Sequence, residues 1–282
     1  MILERRHIME SLPSEALTHN GRFHTDDVFS AALLKILNPE ISIKRMPAVP
    51  PHYKGLVFDL SDGEYDHHST NLKYRENGVP YASFGLLWKK FGPSLVGENA
   101  ARTFDESFIQ PLDTQDNYGG NNMLCRAITQ ANPKWDSSDD PDKCFFKAVD
   151  MAKFILQNEI ESMKSTDHAA KIVKDALSKQ HNGIVTLSIG VPWKSILIPE
   201  PVYFVIYPST RGGFNAQAVP ISIESNECKI YFPETWRGQT ESLSSITGIP
   251  DLTFCHSSGY LVATKSIDAA IKACETAIKN AP

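Results

Sequence analysis

The chain has 282 residues, of which 41% are hydrophobic and 22% are charged. This is the composition of an ordinary globular protein, and the length allows one large domain or two modest ones with a sizeable core. The absence of any apolar run of bilayer length excludes a membrane-spanning protein, and the formal charge of −5 means that contact with nucleic acid requires a local basic patch.

The cysteines and the amino-terminal residues bear on the cellular compartment. The five cysteines are scattered, odd in number and without a CxxC pair, which indicates a reducing compartment and argues against a zinc ribbon. Residues 1–15 mix arginine with glutamate and lack both the apolar core of a secretory signal and the acid-poor make-up of a transit peptide. We interpret them as a short extension of an intracellular protein of the cytoplasm or nucleus, with the mitochondrion as the open alternative.

The first predicted elements are a short strand and a helix, joined by a polar turn. Gly21 lets the backbone turn, Thr25 is a suitable helix N-cap, and apolar residues then recur at helical spacing up to Asn38. Open α/β folds bind ligands at the carboxyl end of the sheet, so we expect the polar side chains of this turn to point into one crevice. These side chains are His19, His24 and Asp26, while Asp27 completes the acidic first turn of the helix.

A second strand is predicted at Ile41–Arg45, and the prolines that follow it forbid regular structure. Leu56–Leu60 is an apolar run typical of a buried parallel strand, and Asp59 lies inside it. A buried carboxylate is costly unless it is paired or bound to a metal, which makes Asp59 the best candidate for a bridging ligand. After a turn at Gly63, the triplet Asp66-His67-His68 returns toward the same crevice.

The metal hypothesis depends on the coincidence of four polar groups. Carboxylates and neutral imidazoles bind hard or borderline divalent ions, and the groups around His19, Asp59, Asp66 and Asp113–Asn117 each follow an apolar stretch. Taken singly, each group has an ordinary explanation: acidic residues favour a helix start, a lone histidine is more often a turn or core residue, and the triplet suits a solvated turn. Their coincidence favours a metal site.

Helices are predicted next, and a strand-rich segment follows them. A helical stripe runs from Phe84 to Phe91, and a helix at Glu98–Leu112 delivers Asp113 and Asp116 at its end. The sequence His181-Asn182-Gly183 stops the helices and indicates a domain boundary. The predicted later elements are helices at 141–164 and 167–180, strands at 184–189, 202–207, 216–221 and 252–255, and a final helix at 267–278.

The ordered motifs resemble a known family. The triplet Asp66-His67-His68 after Val57-Phe58-Asp59 is similar to the DHH phosphoesterase superfamily, and the opening Thr18–Asp26 is similar to that of its melanocyte-proliferating-gene exonucleases. The resemblance extends from Thr18 to about Lys265. The further motifs that carry it are Phe84–Gly92, Asp113–Asn117, Pro233–Gly238, Gly248–Pro250 and Phe254–Tyr260.

The sequence departs from the family pattern in three places. The family usually has glutamate where Asp27 stands, and Tyr118 separates Asn117 from the glycine pair that follows. Leu261–Thr264 replaces the further glycines of the last motif. The second and third departures concern contacts with the substrate rather than the metal ligands.

The resemblance implies an α/β, two-lobed fold of the DHH-phosphoesterase type. Residues 1–180 would form a parallel-sheet, metal-binding catalytic lobe with connecting helices, and residues 181–282 a smaller α+β lobe that closes over it and binds substrate. The mixed ligand set favours two manganese ions, with magnesium as the alternative, over calcium or a closed zinc site. The implied metal ligands are His19, His24, Asp26, Asp59 as the bridge, His67 and one or both of Asp113 and Asp116. Asp66 and His68 would act as catalytic residues that orient ligands or contact phosphate.

The carboxyl-terminal segment carries isolated basic residues that we assign to substrate binding. Arg211 and Arg237 each stand beside glycine, which permits close approach of a phosphate and a bidentate contact. His256 and Lys265 complete the set, whereas Lys194 is interpreted as an ordinary surface charge.

The resemblance implies a 3′-to-5′ exonuclease acting on RNA or another single-stranded nucleic acid, with a metal-activated water as the nucleophile. The residues alone support only metal-dependent phosphoester hydrolysis. Two other functions stay open: a small-molecule phosphohydrolase, such as a pyrophosphatase or an oligonucleotide phosphodiesterase, and a non-enzymatic metal or RNA binder. No membrane association is expected, and the sequence does not predict the oligomeric state.

Overall fold

A computed structural model of the chain describes residues 12–61, 63–68, 72–240 and 242–281. Of the extension predicted at residues 1–15, residues 1–11 lie outside the described residues. Contacts divide the chain into two compact units, residues 1–164 and residues 165–282. The functional division at residue 181 stays a prediction.

The first unit contains a parallel sheet, as the apolar runs of the sequence predict. Strands β1 (Glu15–His19), β2 (Ser42–Met46) and β3 (Leu56–Val57) lie in the order β2-β1-β3. Both pairings of β1 are parallel. Helix α1 (Thr25–Leu37) connects β1 to β2 and begins after His24, so the predicted N-cap at Thr25 is wrong by one residue.

The chain leaves β3 earlier than predicted. The strand ends at Val57, Phe58 makes only an isolated bridge with Tyr65, and Asp59 has a φ of 51°. The predicted strand to Leu60 is therefore wrong, because the left-handed backbone at Asp59 turns the chain. The Asp59 N–H donates to the carbonyl of Tyr65 at 3.0 Å, which holds the returning segment beside the sheet.

Helices α2 (Ser83–Val96) and α3 (Glu98–Phe104) follow, and a π-helical turn at Asp105–Ile109 leads from α3 into α4 (Gln110–Tyr118). The predicted helix end at Leu112 is wrong, since the helix continues to Tyr118 and carries Asp113 and Asp116 within it. Its end is set by Gly119, which has a φ of 74° that favours glycine. Helix α5 (Met123–Thr129) follows.

One long helix replaces the two predicted at 141–164 and 167–180. Helix α6 runs without interruption over Pro141–Ser178, so it extends through the division between the two units at residue 164. The Ser-Thr-Asp sequence at 165–167 resembles a helix start, but residues 165–168 form an exposed turn within the helix, and burial resumes at Ala169 and Val173. Burial of the helix on both sides of this turn outweighs the local start signal.

The second unit has a mixed five-stranded sheet in the order β4-β5-β6-β8-β7. Strands β4 and β5 are parallel, and the other pairs are antiparallel. The strands are β4 (Ile184–Thr186), β5 (Phe204–Pro208), β6 (Phe214–Ala218), β7 (Leu252–Cys255) and β8 (Leu261–Thr264). The helices are α7 (Lys194–Leu197), α8 (Leu243–Thr247) and α9 (Ile267–Lys279), with a 3-10 turn at Glu234–Trp236.

Each unit has its own apolar core. In the first unit α1 packs against α2 through Phe29 and Phe84, and Phe145 of α6 packs against Phe23 in the same apolar cluster. In the second unit, one cluster forms between the sheet and α9 and another around Trp193 and Val205. The five cysteines are free thiols. Among the described residues, every helix is too short or too polar to span a bilayer.

Candidate metal centre

The buried side chain of Arg45 fixes the turn after β1. The Nη2 group of Arg45 donates to the carbonyl of Gly21 at 2.7 Å, and its guanidinium lies 4.5 Å from the ring centroid of Phe145. Its Nη1 group donates to Asp142 at 2.8 Å. Arg45 thereby fixes the path of the chain between His19 at the end of β1 and His24 at the start of α1.

His19 faces two carboxylates. Its Nε2 atom lies 3.2 Å from Asp27 Oδ2 and 3.2 Å from Asp59 Oδ2. Burial alone would lower the pKa of His19, but the two carboxylates raise it to about 10. Asp27 is oriented by the helix start, because its Oδ1 accepts from the His24 N–H at 3.0 Å.

The other oxygen of Asp59 faces the histidine pair. Asp59 Oδ1 lies 3.3 Å from Nδ1 of His67 and 3.3 Å from Nδ1 of His68. His68 also lies 2.8 Å from Asp66 Oδ1, and this contact with Asp66 raises the pKa of His68. The two oxygens of Asp59 therefore belong to two different ligand groups.

A third group joins the helix start to α4. His24, Asp26 and Asp116 each present a ligand atom, and these atoms lie within 4.8 Å of one another. Asp116 Oδ2 is also 3.0 Å from His67 Nε2, which connects this group to the histidine pair. Burial, and then the charges of Asp59 and Asp116, raise the pKa of Asp26.

The donor set fits divalent metal ions. Asp26, Asp27 and Asp59 are at most 1% exposed, and both oxygens of Asp26 and of Asp59 have no hydrogen-bond partner among the described residues. Their contacts with imidazole nitrogens have ion-pair distances without hydrogen-bond geometry. Several buried carboxylates destabilise a protein unless cations balance them. Carboxylate oxygens with imidazole nitrogens are a suitable donor set for hard and borderline divalent ions.

Asp113 lies outside these groups. Its Oδ2 accepts from Nη2 of Arg75 at 2.7 Å, and the same guanidinium is bound to Asp105 at 2.6 and 2.7 Å. Burial raises the pKa of Asp113 to about 7, although Arg75 opposes this shift. Of the two aspartates that the sequence offers as ligands, the structure brings only Asp116 to the histidines.

A cavity of about 490 Å³ opens beside the metal-binding groups. Its lining includes His24, His67, His68 and Asp116, together with Leu72, Gln115 and Asn117. Its polar walls suit a charged or polar ligand next to the carboxylates.

The four basic residues assigned to substrate lie at two ends of the second sheet. At one end, the Ala218 N–H of β6 donates to the carbonyl of Tyr260, and Gly259 lies against the Arg237 side chain. These contacts place Arg237 and His256 at this end of the sheet. At the other end Phe214 pairs with Thr264, next to the Arg211 turn and Lys265. The predicted substrate set is thus divided into two pairs.

Arg237 lines a cavity of about 800 Å³ within the second unit. Lys194, Tyr231, Ser258 and Tyr260 line the same cavity. The Arg237 guanidinium lies 5.5 Å from the Tyr231 ring centroid, and the His256 and Tyr260 ring centroids are 4.6 Å apart. The cationic side chains of Arg237 and Lys194 can bind phosphate, and the tyrosine rings beside them can stack on a base.

Sequence reasoning missed two residues of these sites. Asp27 is interpreted from sequence as a helix-dipole residue, and only the register of α1 against β1 shows that it also faces His19. Lys194 looks like a surface charge, and no local signal relates it to Arg237, 43 positions along the chain. The acidic pair at Asp26-Asp27 is the available signal, because both side chains lie in the first turn of the helix that follows His19.

Comparisons with known proteins agree with the ordered motifs. The family model MYG1_exonuc, described as an uncharacterised protein family (UPF0160), matches residues 15–278. Human "MYG1 exonuclease" is 26% identical over 92% of this chain and 84% of the human protein, and the rat "MYG1 exonuclease" is 28% identical over 88% and 80%. The Schizosaccharomyces pombe "MYG1 protein C694.04c" is 27% identical over 93% of this chain and 96% of its own length. A match over nearly the whole chain shows that this protein belongs to the MYG1 family.

Proposed function

We propose that this chain is a metal-dependent exonuclease, a hydrolase that removes nucleotides one at a time from RNA or another single-stranded nucleic acid in the 3′-to-5′ direction. The observation that carries the proposal is the set of buried carboxylate oxygens around His19, His67 and His68 that have no hydrogen-bond partner in the described part of the chain. The names of the mammalian relatives support the reaction class, since these proteins are named exonucleases.

In this proposal the three groups would hold two divalent ions, manganese in preference to magnesium. Asp59 would serve as the ligand common to two groups, because its Oδ2 faces His19 and its Oδ1 faces His67 and His68. The remaining ligands are His19, Asp27, His24, Asp26, His67 and Asp116. When bound, such ions lower the pKa of a water and stabilise charge on a leaving oxygen.

Other side chains of the site orient the imidazole rings and can neutralise the charge of a bound phosphate. Asp66 contacts His68 at 2.8 Å and thus fixes the imidazole at the wall of the 490 Å³ cavity. His68 is the candidate to donate to a phosphate oxygen, since its side chain is more than half exposed and lines the cavity. The ring of His19 is oriented by the contact of its Nδ1 with the Asn20 carbonyl at 2.9 Å, and the Asp27 carboxylate is oriented by the His24 N–H.

The two-lobed, DHH-like description is part of the same proposal. The second unit supplies a separate set of substrate-binding residues, with Arg237 and His256 at one end of its sheet and Lys194 in the cavity beside Arg237. A polynucleotide needs contacts along its backbone, whereas a small diphosphate needs only the metal centre.

A nuclease assay with controlled metal content tests the proposal. The purified chain is dialysed against chelator and incubated with a 5′-labelled RNA oligomer, before and after addition of manganese. We expect no cleavage without metal, and with manganese a ladder of products that shorten by one nucleotide from the 3′ end. A circularised oligomer of the same sequence should resist cleavage.

Three outcomes would contradict the proposal. Cleavage that survives complete metal removal would exclude the metal mechanism, and cleavage of the circular oligomer would indicate an endonuclease. Hydrolysis of pyrophosphate or a dinucleotide with no action on the oligomer would assign the small-molecule function instead.

A further inference from the structure

The turn that carries His24 is held by the side chain of Asn132, which is distant in the chain. The turn joins β1 to α1 without regular structure, so its backbone groups need other hydrogen-bond partners. Asn132 Oδ1 accepts from the Phe23 N–H at 3.0 Å, and Asn132 Nδ2 donates to the Phe23 carbonyl at 2.8 Å. One amide therefore binds both backbone groups of the residue that directly precedes His24.

Asn132 is itself fixed to the end of α5. Its Nδ2 also donates to the Thr129 carbonyl at 3.0 Å, and its backbone N–H donates to the same carbonyl at 3.2 Å. Asn132 is only 6% exposed, so these hydrogen bonds are shielded from water. Thr129 and Cys125 of α5 line the cavity of about 490 Å³, and so does His24. The amide thus connects one wall of this cavity to a candidate metal ligand.

The polarity of these hydrogen bonds requires an amide. The oxygen of Asn132 faces one N–H group, and the nitrogen faces two carbonyls. An aspartate would place a carboxylate oxygen against the two carbonyls, and an alanine would remove both side-chain partners of the Phe23 backbone. The Phe23 ring is fully buried against Phe145, with centroids 5.7 Å apart, so the side chain and the backbone of Phe23 are both fixed.

We infer that Asn132 is a positioning residue, which sets the place of the His24 imidazole in the metal centre through the backbone of Phe23. The inference rests on the proposed function and adds to it a residue outside the ligand groups. His24 shares its group with Asp26 of α1 and Asp116 of α4, so the group forms only when the turn is held in place. Removal of a residue that orients a metal ligand typically lowers metal affinity about 10- to 100-fold.

Metal titration of Asn132→Ala tests the inference without any turnover. Mn²⁺ is titrated into chelator-treated protein by calorimetry, and Co²⁺ serves as a probe whose visible absorption reports the coordination geometry. We expect the affinity for at least one equivalent of Mn²⁺ to fall about tenfold and the Co²⁺ spectrum to change, while the circular dichroism stays as in the wild type. Asn132→Asp should behave in the same way, because it retains the size and the accepting oxygen but loses the hydrogen bonds that Nδ2 donates.

Asn122→Ala is the matched control at the other end of α5. The Asn122 side chain is the N-cap of this helix and accepts from the N–H groups of Leu124 and Cys125, at 2.9 and 3.3 Å. Its loss should lower the midpoint of urea denaturation. The Mn²⁺ affinity and the Co²⁺ spectrum should stay at their wild-type values, because the hydrogen bonds that are lost lie within α5.

The inference is overturned if the wild-type protein binds no Mn²⁺, if Asn132→Ala retains the wild-type affinity or spectrum, or if Asn122→Ala changes them equally. If Asn132→Ala does not fold, Asn132→Asp decides by the same criteria. Loss of the wild-type circular dichroism in both variants also overturns the inference, since Asn132 would then be required for the fold as a whole.

Failure of the nuclease proposal is a different result. A chain whose Mn²⁺ affinity depends on Asn132 but which leaves RNA intact retains the positioning residue and loses the exonuclease function. A chain that shortens RNA and has the wild-type Mn²⁺ affinity after Asn132→Ala retains the function and loses the positioning residue.

Discussion

At the scale of single residues, Asp59 shows how backbone and charge are combined at one position. Its φ of 51° lies in the left-handed region, which few residues other than glycine, asparagine and aspartate adopt readily. This conformation turns the chain immediately after β3 and leaves the carboxylate 1% exposed. The side chain then faces imidazoles on both sides instead of continuing along the strand.

Asp59→Asn therefore should keep the fold and lose metal. Asparagine tolerates the same backbone conformation, but a neutral amide cannot balance two dications. We expect unchanged circular dichroism, loss of at least one equivalent of metal by elemental analysis, and loss of most of the hydrolytic activity. Asp251→Asn is the matched control, because Asp251 has a φ of 67° and is exposed. Full metal content in Asp59→Asn would assign Asp59 a structural role.

The two candidate ligands on α4 should respond differently to the same change. Asp116→Asn should remove metal, because Asp116 belongs to the group with His24 and Asp26. Asp113→Asn should retain metal but lower the free energy of unfolding by about 1–2 kcal/mol, because Arg75 loses one charged hydrogen-bond partner and keeps Asp105. Elemental analysis and urea denaturation of both variants decide this. Metal loss in Asp113→Asn at unchanged stability would instead make Asp113 a ligand.

At the residue scale, the sequence indicates most ligands of this centre, but it does not predict contacts between residues that are distant in the chain. Asp59 is identifiable because a carboxylate in an apolar run needs a counter-charge. Asp113 and Asp116 look equivalent, since nothing local shows that Arg75 reaches one of them. Asp27 has a sufficient local explanation in the helix start, which conceals its second contact with His19.

At the scale of elements, α2 packs against α4 through a glycine. A β-carbon on Gly85 would collide with the carboxylate of Asp113 and with the guanidinium of Arg75. Both groups are buried and paired, so they have little freedom to move aside. The close approach of the two helices thus depends on the missing side chain, and it positions the helix that carries Asp116.

Gly85→Ala should lower stability despite the better helix propensity of alanine. The propensity gain is about 1 kcal/mol, whereas overpacking costs roughly 1–3 kcal/mol and loss of the buried ion pair adds to it. We expect a net loss of about 2 kcal/mol in urea denaturation. Gly190→Ala is the control, because its new β-carbon meets only ordinary contacts, and it should stay within about 0.5 kcal/mol of wild type. A stabilised Gly85→Ala variant would show that the two helices can separate at no cost.

Element boundaries were predictable where a local signal agrees with burial. The prediction of β7 at Leu252–Cys255 matches its observed bounds, and the final helix differs by one residue at its end. Helix α6 was predicted as two helices because the polar start signal at 165–167 has no counterpart in the packing. Strand β8 was not predicted, since Leu261–Thr264 is short and its pairing with β6 is not visible in its own residues.

At the scale of the whole molecule, charge is the constraint on substrate binding. The chain has 28 basic and 33 acidic residues, so a polyanion is not attracted by the net charge. Affinity for nucleic acid must come from local cations with few acidic neighbours. Within the second unit, Arg237 and Lys194 line one cavity, whereas Arg211 and Lys265 lie at the opposite end of the sheet.

This separation gives a prediction for the salt dependence of RNA cleavage. A phosphate contact on a single strand contributes about 0.7 to the slope of log affinity against log salt. Arg237→Ala should therefore raise the Michaelis constant for an RNA oligomer, lower the slope by about that amount and leave the metal content unchanged. Arg211→Ala, which removes the same charge from the other end of the sheet, should leave the slope within error of wild type. Michaelis constants at several salt concentrations measure both slopes. An equal decrease in both variants would mean that the substrate contacts both ends of the sheet, and no decrease in either would mean that RNA is bound without the arginines of the second unit.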